Sequence, residues 1–407
     1  MHDVDLFQRA LGLQAPWEVV GVEFDAEHKR LEVRIDYPRG TRFACPECDR
    51  ADCPVHDTET RTWRHLDFFQ HQAYLQARVP RVKCPEHGVR KVEVPWARAG
   101  SGFTLLFEAL VMTLVKEMSV AAISRMVGEN DKRLWRVVHH YADQAVQAQD
   151  LGQMQELGID DTSFAKGQSY MSVFCDLAPS ERRAVFVADG RGKDTVQQFA
   201  AFLAEHGGCE QNIREVSQDM WEAYLAGVRE HLPEAQVTFD RFHVKQKLSE
   251  AIDAVRRVEA KEQRQLLKNT RYLWLKRRNN LSPKQLDWLD ELLGKPLKTA
   301  RAYEQALKFD HFYELDADAA EEYLRRWIAD VRASDLKPLH QFADTLERHW
   351  DGVLRWHHSR VNNGLLEGLN SLIQTAKRRA RGYRSTRNYK AMIYLVAGKL
   401  DAGPQLA

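Results

Sequence analysis

Three acidic side chains sit where alternating strands and helices could bring them to one edge of a sheet. Asp160, followed at once by Asp161, closes the apolar run Leu157-Gly158-Ile159. Asp219 follows Val216-Ser217-Gln218, and Glu367 falls early in a helix predicted from about Asn363 to Arg381. An aspartate at an apolar-to-polar transition projects from its strand end, so acids from distant positions can meet. Hard divalent cations take oxygen ligands, and Mg²⁺ keeps waters and substrate phosphates beside one or two carboxylates. Two such ions about 4 Å apart activate an attacking oxygen and stabilise a leaving one in phosphodiester chemistry. The chain holds 58 acidic residues, and aspartate is routine at turns and caps. Any one of these acids read alone is therefore a cap before it is a ligand; the order of elements around them carries the reading.

Sulfur supplies a second constellation. Four of the six cysteines lie between Cys45 and Cys84. The first residues, Met1-His2-Asp3-Val4-Asp5, lack the basic-then-apolar order of a signal peptide, and no run of about 20 apolar residues predicts a membrane span. A reducing, cytoplasmic setting is expected, and there clustered cysteines point to metal before disulfides. Cys45-x-x-Cys48 and Cys84-x-x-His87 form two knuckles suited to tetrahedral Zn²⁺ in a closed structural site. Cys53-x-x-His56 offers a third pair, and the alternative ligand set replaces one knuckle with Cys53 and His56. Such an ion would hold a small β-rich domain with a thin core.

Positive charge is local, because 59 basic residues nearly balance the acids and leave a net charge of +1. Lys132, Arg133 and Arg136 lie on a predicted helix from Asp131 that follows a short helix, Ser119 to Met126, and a Gly128-Glu129-Asn130 break. That is the pattern of a helix-turn-helix whose second helix reaches phosphates or base edges. Between Glu367 and Asp401 no acid occurs, while Lys377, Arg378, Arg379, Arg381, Arg384 and Arg387 do, interleaved with Tyr383 and Tyr389. A solvated helix face normally mixes both signs; a one-sign stretch suits a DNA backbone.

The elements that must position these groups follow from periodicity. Residues 1–100 alternate as a β-rich domain around the cysteines. Residues 101–150 are helical. From 151 to 245 the order is β-β-β-α-β-α-β, with Asp219 after the fourth strand and Asp240 after the fifth. Residues 246–358 are all helical and highly charged, with breaks at Ser282-Pro283 and around Pro296. Residues 359–407 carry Glu367 and the basic tail.

The chain resembles the insertion-sequence transposases of the ISL3 family (the IS204/IS1001/IS1096/IS1165 group) over nearly its whole length. The segments that carry the likeness are Cys84-Pro85-Glu86-His87-Gly88, Val94-Pro95-Trp96-Ala97, Leu157 to Phe164, Ser217 to Tyr224, Phe239 to Val244, and Asn362 to Asn370 with Lys377 to Tyr383 behind it. The resemblance implies a multidomain α+β protein: an N-terminal β-rich zinc-binding domain, a helix-turn-helix, and a ribonuclease H-like core interrupted by an all-helical insertion. It implies a DDE triad matched by Asp160, Asp219 and Glu367, holding two Mg²⁺ or Mn²⁺ ions. Asp161 is a substitute for the first acid, since the family often has Asp-Glu where this chain has Asp160-Asp161. Asp240-Arg241-Phe242-His243 is similar to the Cys-x-x-His element of Mutator-like and hAT transposases, which makes Asp240 the rival second acid and His243 a secondary candidate. The expected activity is cleavage at terminal inverted repeats and joining of the freed 3′-hydroxyls to target DNA. The expected partners are both duplexes and further copies of the chain, as a dimer or larger assembly at the bacterial nucleoid. Two alternatives remain, a catalytically silent DNA-binding regulator descended from a transposase and a structure-specific nuclease without joining activity.

Overall fold

The computed structural model describes residues 3–165, 169–360 and 364–405. The chain divides into two compact units.

The first unit takes in Met1–Ala145 with Arg379–Arg381 and Leu400–Ala407. A helix the sequence did not announce, α1 (Asp3–Ala10), precedes β1 (Glu18–Asp25), β2 (Arg30–Asp36), β3 (Arg42–Phe43), β4 (Cys53–Arg64), β5 (Gln72–Cys84) and β6 (Gly88–Lys91). The sheet order is β1-β2-β5-β4-β3, with β6 on β5. In β5 the period-two pattern puts Ala73, Leu75, Ala77 and Val79 in the core, as expected of a strand with one solvated face. Trp17 and Trp63 each meet Trp96 edge-on, at 5.1 and 5.6 Å, a favoured aromatic geometry. β4 starts at Cys53 and ends at Arg64, paired with β5 from Val55↔Val82 to Arg64↔Tyr74. Most of its residues are polar and half are exposed, so backbone pairing rather than apolar burial forms it.

Helices α2 (Leu105–Glu117), α3 (Val120–Val127) and α4 (Asp131–Gln147) follow. Thr104 and Ser119 cap α2 and α3 by accepting from the amides of Phe107 and Ala122, satisfying donors the helices leave open. Gly128 ends α3 at φ 67°, a conformation costly for any residue with a Cβ. Buried Glu108 ties α2 to α4 and to the segment before α2. Its carboxylate accepts from Arg98 Nε at 2.9 Å, Ser101 Oγ at 2.7 Å and the Tyr141 hydroxyl at 2.6 Å.

The second unit takes in Val146–Arg378 and Gly382–Lys399. It opens with β7 (Glu156–Ala165), β8 (Ser169–Asp176), β9 (Arg183–Asp189), α5 (Lys193–Glu205), β10 (Glu215–Gln218), α6 (Glu222–His231) and β11 (Gln236–Phe239), the expected β-β-β-α-β-α-β order. The sheet runs β11-β10-β7-β8-β9; β11, β10 and β7 are parallel, and β7, β8 and β9 antiparallel. Odd-numbered Leu157 and Ile159 join Phe174 and Val216 in a core under Val196, Phe199 and Val228 of α5 and α6.

From β11 onward the chain is helical: α7 (Arg241–Glu259), α8 (Arg264–Leu267), α9 (Arg271–Leu275), α10 (Pro283–Leu293), α11 (Lys298–Phe312), α12 (Ala317–Arg332), α13 (Lys337–Arg348) and α14 (Trp350–Ser359). Val244, Leu248, Ile252 and Val255 of α7 bury into a core shared with Trp274, Phe309, Trp327 and Leu339. The expected break at Ser282-Pro283 is a capping box between Ser282 and Gln285 with Pro283 in the first turn, where a missing amide costs nothing. Then α15 (Gly364–Arg379) and α16 (Thr386–Ala397) return to the sheet. Asn362 and Asn363 lie outside the described residues.

Candidate active site and metal centre

Asp160 does not close its strand. β7 runs on to Ala165, with Asp160 paired to Val173 of β8. What ends there is its parallel neighbour. β10 pairs with β7 from Glu215↔Glu156 to Ser217↔Gly158, so Asp219, just past the end of β10, falls level with Asp160. β11 pairs with β10 up to Gln218↔Phe239, so Asp240 falls level with Asp219. Neighbouring strands lie about 4.8 Å apart; three aspartates thus occupy one rung at the edge of three parallel strands.

Their surroundings penalise negative charge. Burial pushes Asp160 up to about 7, the positive charge of His243 and the Asp161 amide work against that shift, and Asp161 and Asp219 add to it. Burial likewise raises Asp219, with His243 opposing and Asp161 reinforcing. Asp161 is raised by burial and eased by Arg191. Burial opposes charge on His243, but Asp240, Asp160 and Asp219 outweigh it and raise its pKa. Its Nδ1 lies 3.1 Å from Asp240 Oδ2, an ion-pair contact without the alignment of a hydrogen bond. Asp240 also caps α7 by accepting from the Phe242 amide at 2.9 Å. Crowded, desolvated carboxylates with one facing imidazole form a set that a divalent cation would stabilise.

Helix α15 lies along β7 on the face opposite α5 and α6. A Cβ on Gly158 would come within 2.8 Å of Leu366. Asn370 donates to Asp160 Oδ2, Gln374 donates to Thr162 Oγ1, and Lys377 donates to the Ser163 carbonyl and, at 3.0 Å, to its Oγ. Roughly one helical turn thus matches two strand residues, so each turn of α15 meets an even-numbered position or its neighbour. Glu367, exposed and beside Leu366, is three residues before Asn370 and shares its side of the helix. Asp160, Asp161 and Asp219 are brought together with Asp240 and His243. Glu367 is placed one turn from the residue that grips Asp160. Among the described residues, the acids do not draw into a group as tight as the cysteine cluster below.

Two further residues of this site had not been singled out. Arg191 has its guanidinium 4.3 Å from both the Tyr170 and Trp221 rings and 3.7 Å from Asp161. Its signal in the sequence is faint, a basic residue between Gly190 and Gly192 where strand turns to helix. Asn370 stood in a quoted motif without a role; its three-residue spacing from Glu367 was the available clue.

In the first unit, Cys45, Cys48, Cys84 and His87 place one ligand atom each within 4.8 Å of one another. Cys48 Sγ is 3.8 Å from Cys84 Sγ, and His87 Nδ1 is 3.9 and 3.7 Å from the sulfurs of Cys45 and Cys84. A tetrahedron with Zn–S of about 2.3 Å and Zn–N of about 2.0 Å has edges of roughly 3.5–3.8 Å. The donor set and spacing fit zinc. Cys53 is buried beside the cluster and its thiol is pushed up, by burial first and then by Cys84 and Cys45. His56 turns to Asp57 at 3.2 Å, so the alternative pair is not gathered.

The basic candidates divide by what they touch. On α4, Leu134, Val137, Val138 and Tyr141 face inward while Lys132 and Arg136 are exposed. Arg133 pairs with Glu129 and lies 4.3 Å over the Phe103 ring. Arg378, Arg379, Arg381, Arg384 and Arg387 are exposed, whereas Lys377 is tied to β7. Arg379 donates to the Lys116 carbonyl at 3.1 Å.

Comparison with known proteins matches these parts in order. Residues 41–87 match a family model described as the zinc-finger of the transposases of IS204/IS1001/IS1096/IS1165. Residues 92–142 match the helix-turn-helix domain of transposase family ISL3, and residues 157–393 match the ISL3 transposase model. The transposase for insertion sequence element IS1001 of Bordetella parapertussis is 29% identical over 364 residues, 85% of this chain and 87% of that protein. The transposase for insertion sequence element IS1557 of Mycobacterium tuberculosis is 26% identical over 97% of this chain and 96% of its own length.

Proposed function

This chain belongs to the ISL3 family of transposases; we propose that Asp160, Asp219 and Glu367 are the acids with which it cleaves transposon ends and joins them to target DNA. The observation that supports this most directly is the single rung formed by Asp160 and Asp219, gripped through Asn370 by the helix that carries Glu367 one turn earlier. The sheet order and the return of α15 after the helical segment support a ribonuclease H-like core with an inserted helical domain.

Mg²⁺ or Mn²⁺ held by these carboxylates would polarise the scissile phosphate and offset charge on the attacking and leaving oxygens. Two ions span a wider set of oxygens than one, which suits acids spread over a rung and a helix. The chain itself holds and orients. Asn370 fixes one oxygen of Asp160, and His243 faces the acids from α7 with Asp240 behind it. Asp219 and Asp240 each accept from the amide two residues on, but Asp240 is also taken up by His243, which favours Asp219 as the second acid. Asp161, turned toward Arg191, is the weaker substitute for Asp160. Phosphoryl transfer asks the protein mainly for position and charge neutralisation.

Recognition of the terminal repeats falls to the first unit. Lys132 and Arg136, with Arg133 beside them, would meet DNA from α4. A structural zinc at Cys45, Cys48, Cys84 and His87 would hold the β-rich domain. Arg378, Arg379, Arg381, Arg384 and Arg387 would track a phosphate backbone, with Lys377 anchoring the end of α15 from which the stretch begins. Joining two ends calls for at least two copies of the chain. Among the described residues no helix is long and apolar enough to cross a membrane; a bacterial cytoplasmic protein at the nucleoid is the setting this activity requires.

The test is end cleavage by Asp160→Ala and Glu367→Ala. Both variants should bind the end duplex as the unaltered protein does and cut no strand. Cleavage retained by either would refute the assignment.

A further inference from the structure

A cavity of about 530 Å³ opens in the helical segment between α7, the turn after α9 and α11. That is within the usual range for a small-ligand site. Its wall is aromatic: Trp274 and Tyr303 meet edge to face at 5.8 Å, and Phe242 stands at the mouth, 52% exposed. Its rim is cationic. Lys245 is engaged by Asp310 at 2.7 Å and Arg278 by Asp290 at 2.8 Å. Lys276 and Arg277 also line it, and among the described residues they form no ion pair. Trp274 adds an independent observation. It is 2% exposed, and among the described residues its indole N–H has no acceptor. A buried donor left unpaired is costly, and a ligand acceptor entering the cavity would relieve it.

One helix joins this cavity to the acids. Phe242 at the mouth is followed by His243, which faces Asp240, Asp160 and Asp219. The cavity therefore lies about one helix diameter, on the order of 10–12 Å, from the catalytic rung. We propose that it binds an unpaired nucleotide of the DNA end held at that rung. The base stacks on Phe242 and accepts from the Trp274 N–H through a ring nitrogen or carbonyl; the adjoining phosphates lie on Arg277 and Lys276. Aromatic faces with free cations accept any base, because every base has a π-face. A paired base cannot enter a walled cavity without leaving its stack, so the site selects single strand over duplex. The proposal rests on the strand-cleaving reading of Asp160, Asp219 and Glu367, but its test does not.

The probe is a short single-stranded oligodeoxynucleotide carrying one 2-aminopurine, titrated into the full chain; the same sequence as a duplex is the control. Binding should quench the 2-aminopurine, as stacking does. Phe242→Ala should abolish the quench and weaken single-strand binding about tenfold. Arg277→Ala should weaken it several-fold and flatten the slope of log affinity against log salt by about 0.7. Among the described residues Arg277 forms no ion pair, and Phe242 is half-exposed with its ring 5.7 Å from that of His243, so neither change should unfold the chain. Duplex binding should not change in either variant. Single-strand affinity and quenching that survive both changes would overturn the proposal, and so would an equal loss in the duplex control, which marks a general basic surface. Asp160→Ala leaves the cavity intact and should bind the strand normally. Its cleavage result tests the catalytic reading separately.

Discussion

Removing the side chain of Asn370 tests the register between α15 and β7 at a contact that touches a proposed catalytic acid. Asn370 donates to Asp160 Oδ2. Flanking contacts, Leu366 on Gly158 and Gln374 on Thr162, do not depend on it. Asn370→Ala should therefore leave the helix docked, at a cost in stability no larger than that one bond. What is lost is a hydrogen bond to a carboxylate whose charge the reaction needs, about 1.5–3 kcal/mol. At about 1.4 kcal/mol per tenfold, cleavage should slow by roughly 10- to 100-fold. The assay is single-turnover cleavage of a labelled end duplex at saturating protein across a Mg²⁺ titration, with end binding followed by anisotropy. The rate should fall and the metal requirement rise while duplex affinity stays within about twofold. Asn370→Asp keeps the size but swaps donor for acceptor beside buried carboxylates, and should lose more. Cleavage by Asn370→Ala within a factor of two, at unchanged metal dependence, would show that Asp160 is held without α15 and that the alignment carries no catalytic weight.

Further outcomes follow from other sites. Cys84→Ser, or a strong chelator, should release about one equivalent of Zn²⁺ to a colorimetric indicator and abolish end binding; binding that survives complete zinc loss would remove the structural role. Glu108→Ala strands the Tyr141 hydroxyl and Arg98 in the helical part of the first unit, and should cost about 3 kcal/mol or more in denaturant melts; a loss below about 1 kcal/mol would mean that the network adds little. Burial, aided by the Arg64 charge, lowers His65 to about 4. The unfolded chain then takes up a proton near pH 6.5 and the folded chain does not, so stability is full above that pH and falls by up to about 3 kcal/mol on the way to pH 4. His65→Gln should remove that portion of the acid sensitivity, and identical stability–pH curves for the two proteins would contradict the shift.

The sequence by itself determined whatever is local. Period-two and helical repeats yielded the order of the second unit's elements. Ser119, Gly128, Ser282 and Pro283 marked helix ends because caps and turns act over three or four residues. The two knuckles pointed to metal because two close-spaced pairs of Cys and His ligands form a donor set typical of closed zinc sites. Pairing and register belong to the tertiary structure alone. Asp160 looked like a strand end because polarity begins there, yet what stops at that level is β10, a segment more than fifty residues away. The polar strand β4 was hidden because its partner's backbone, not an apolar face, holds it. Lys377 read as a DNA contact and is turned to Ser163. Arg191 gave almost no signal, since two rings distant in sequence close on it only in the folded chain. A rung of acids on parallel strands is a non-local object: side-chain type is written residue by residue, but which residues come level is decided by hydrogen bonds between strands and by the helix packed across them.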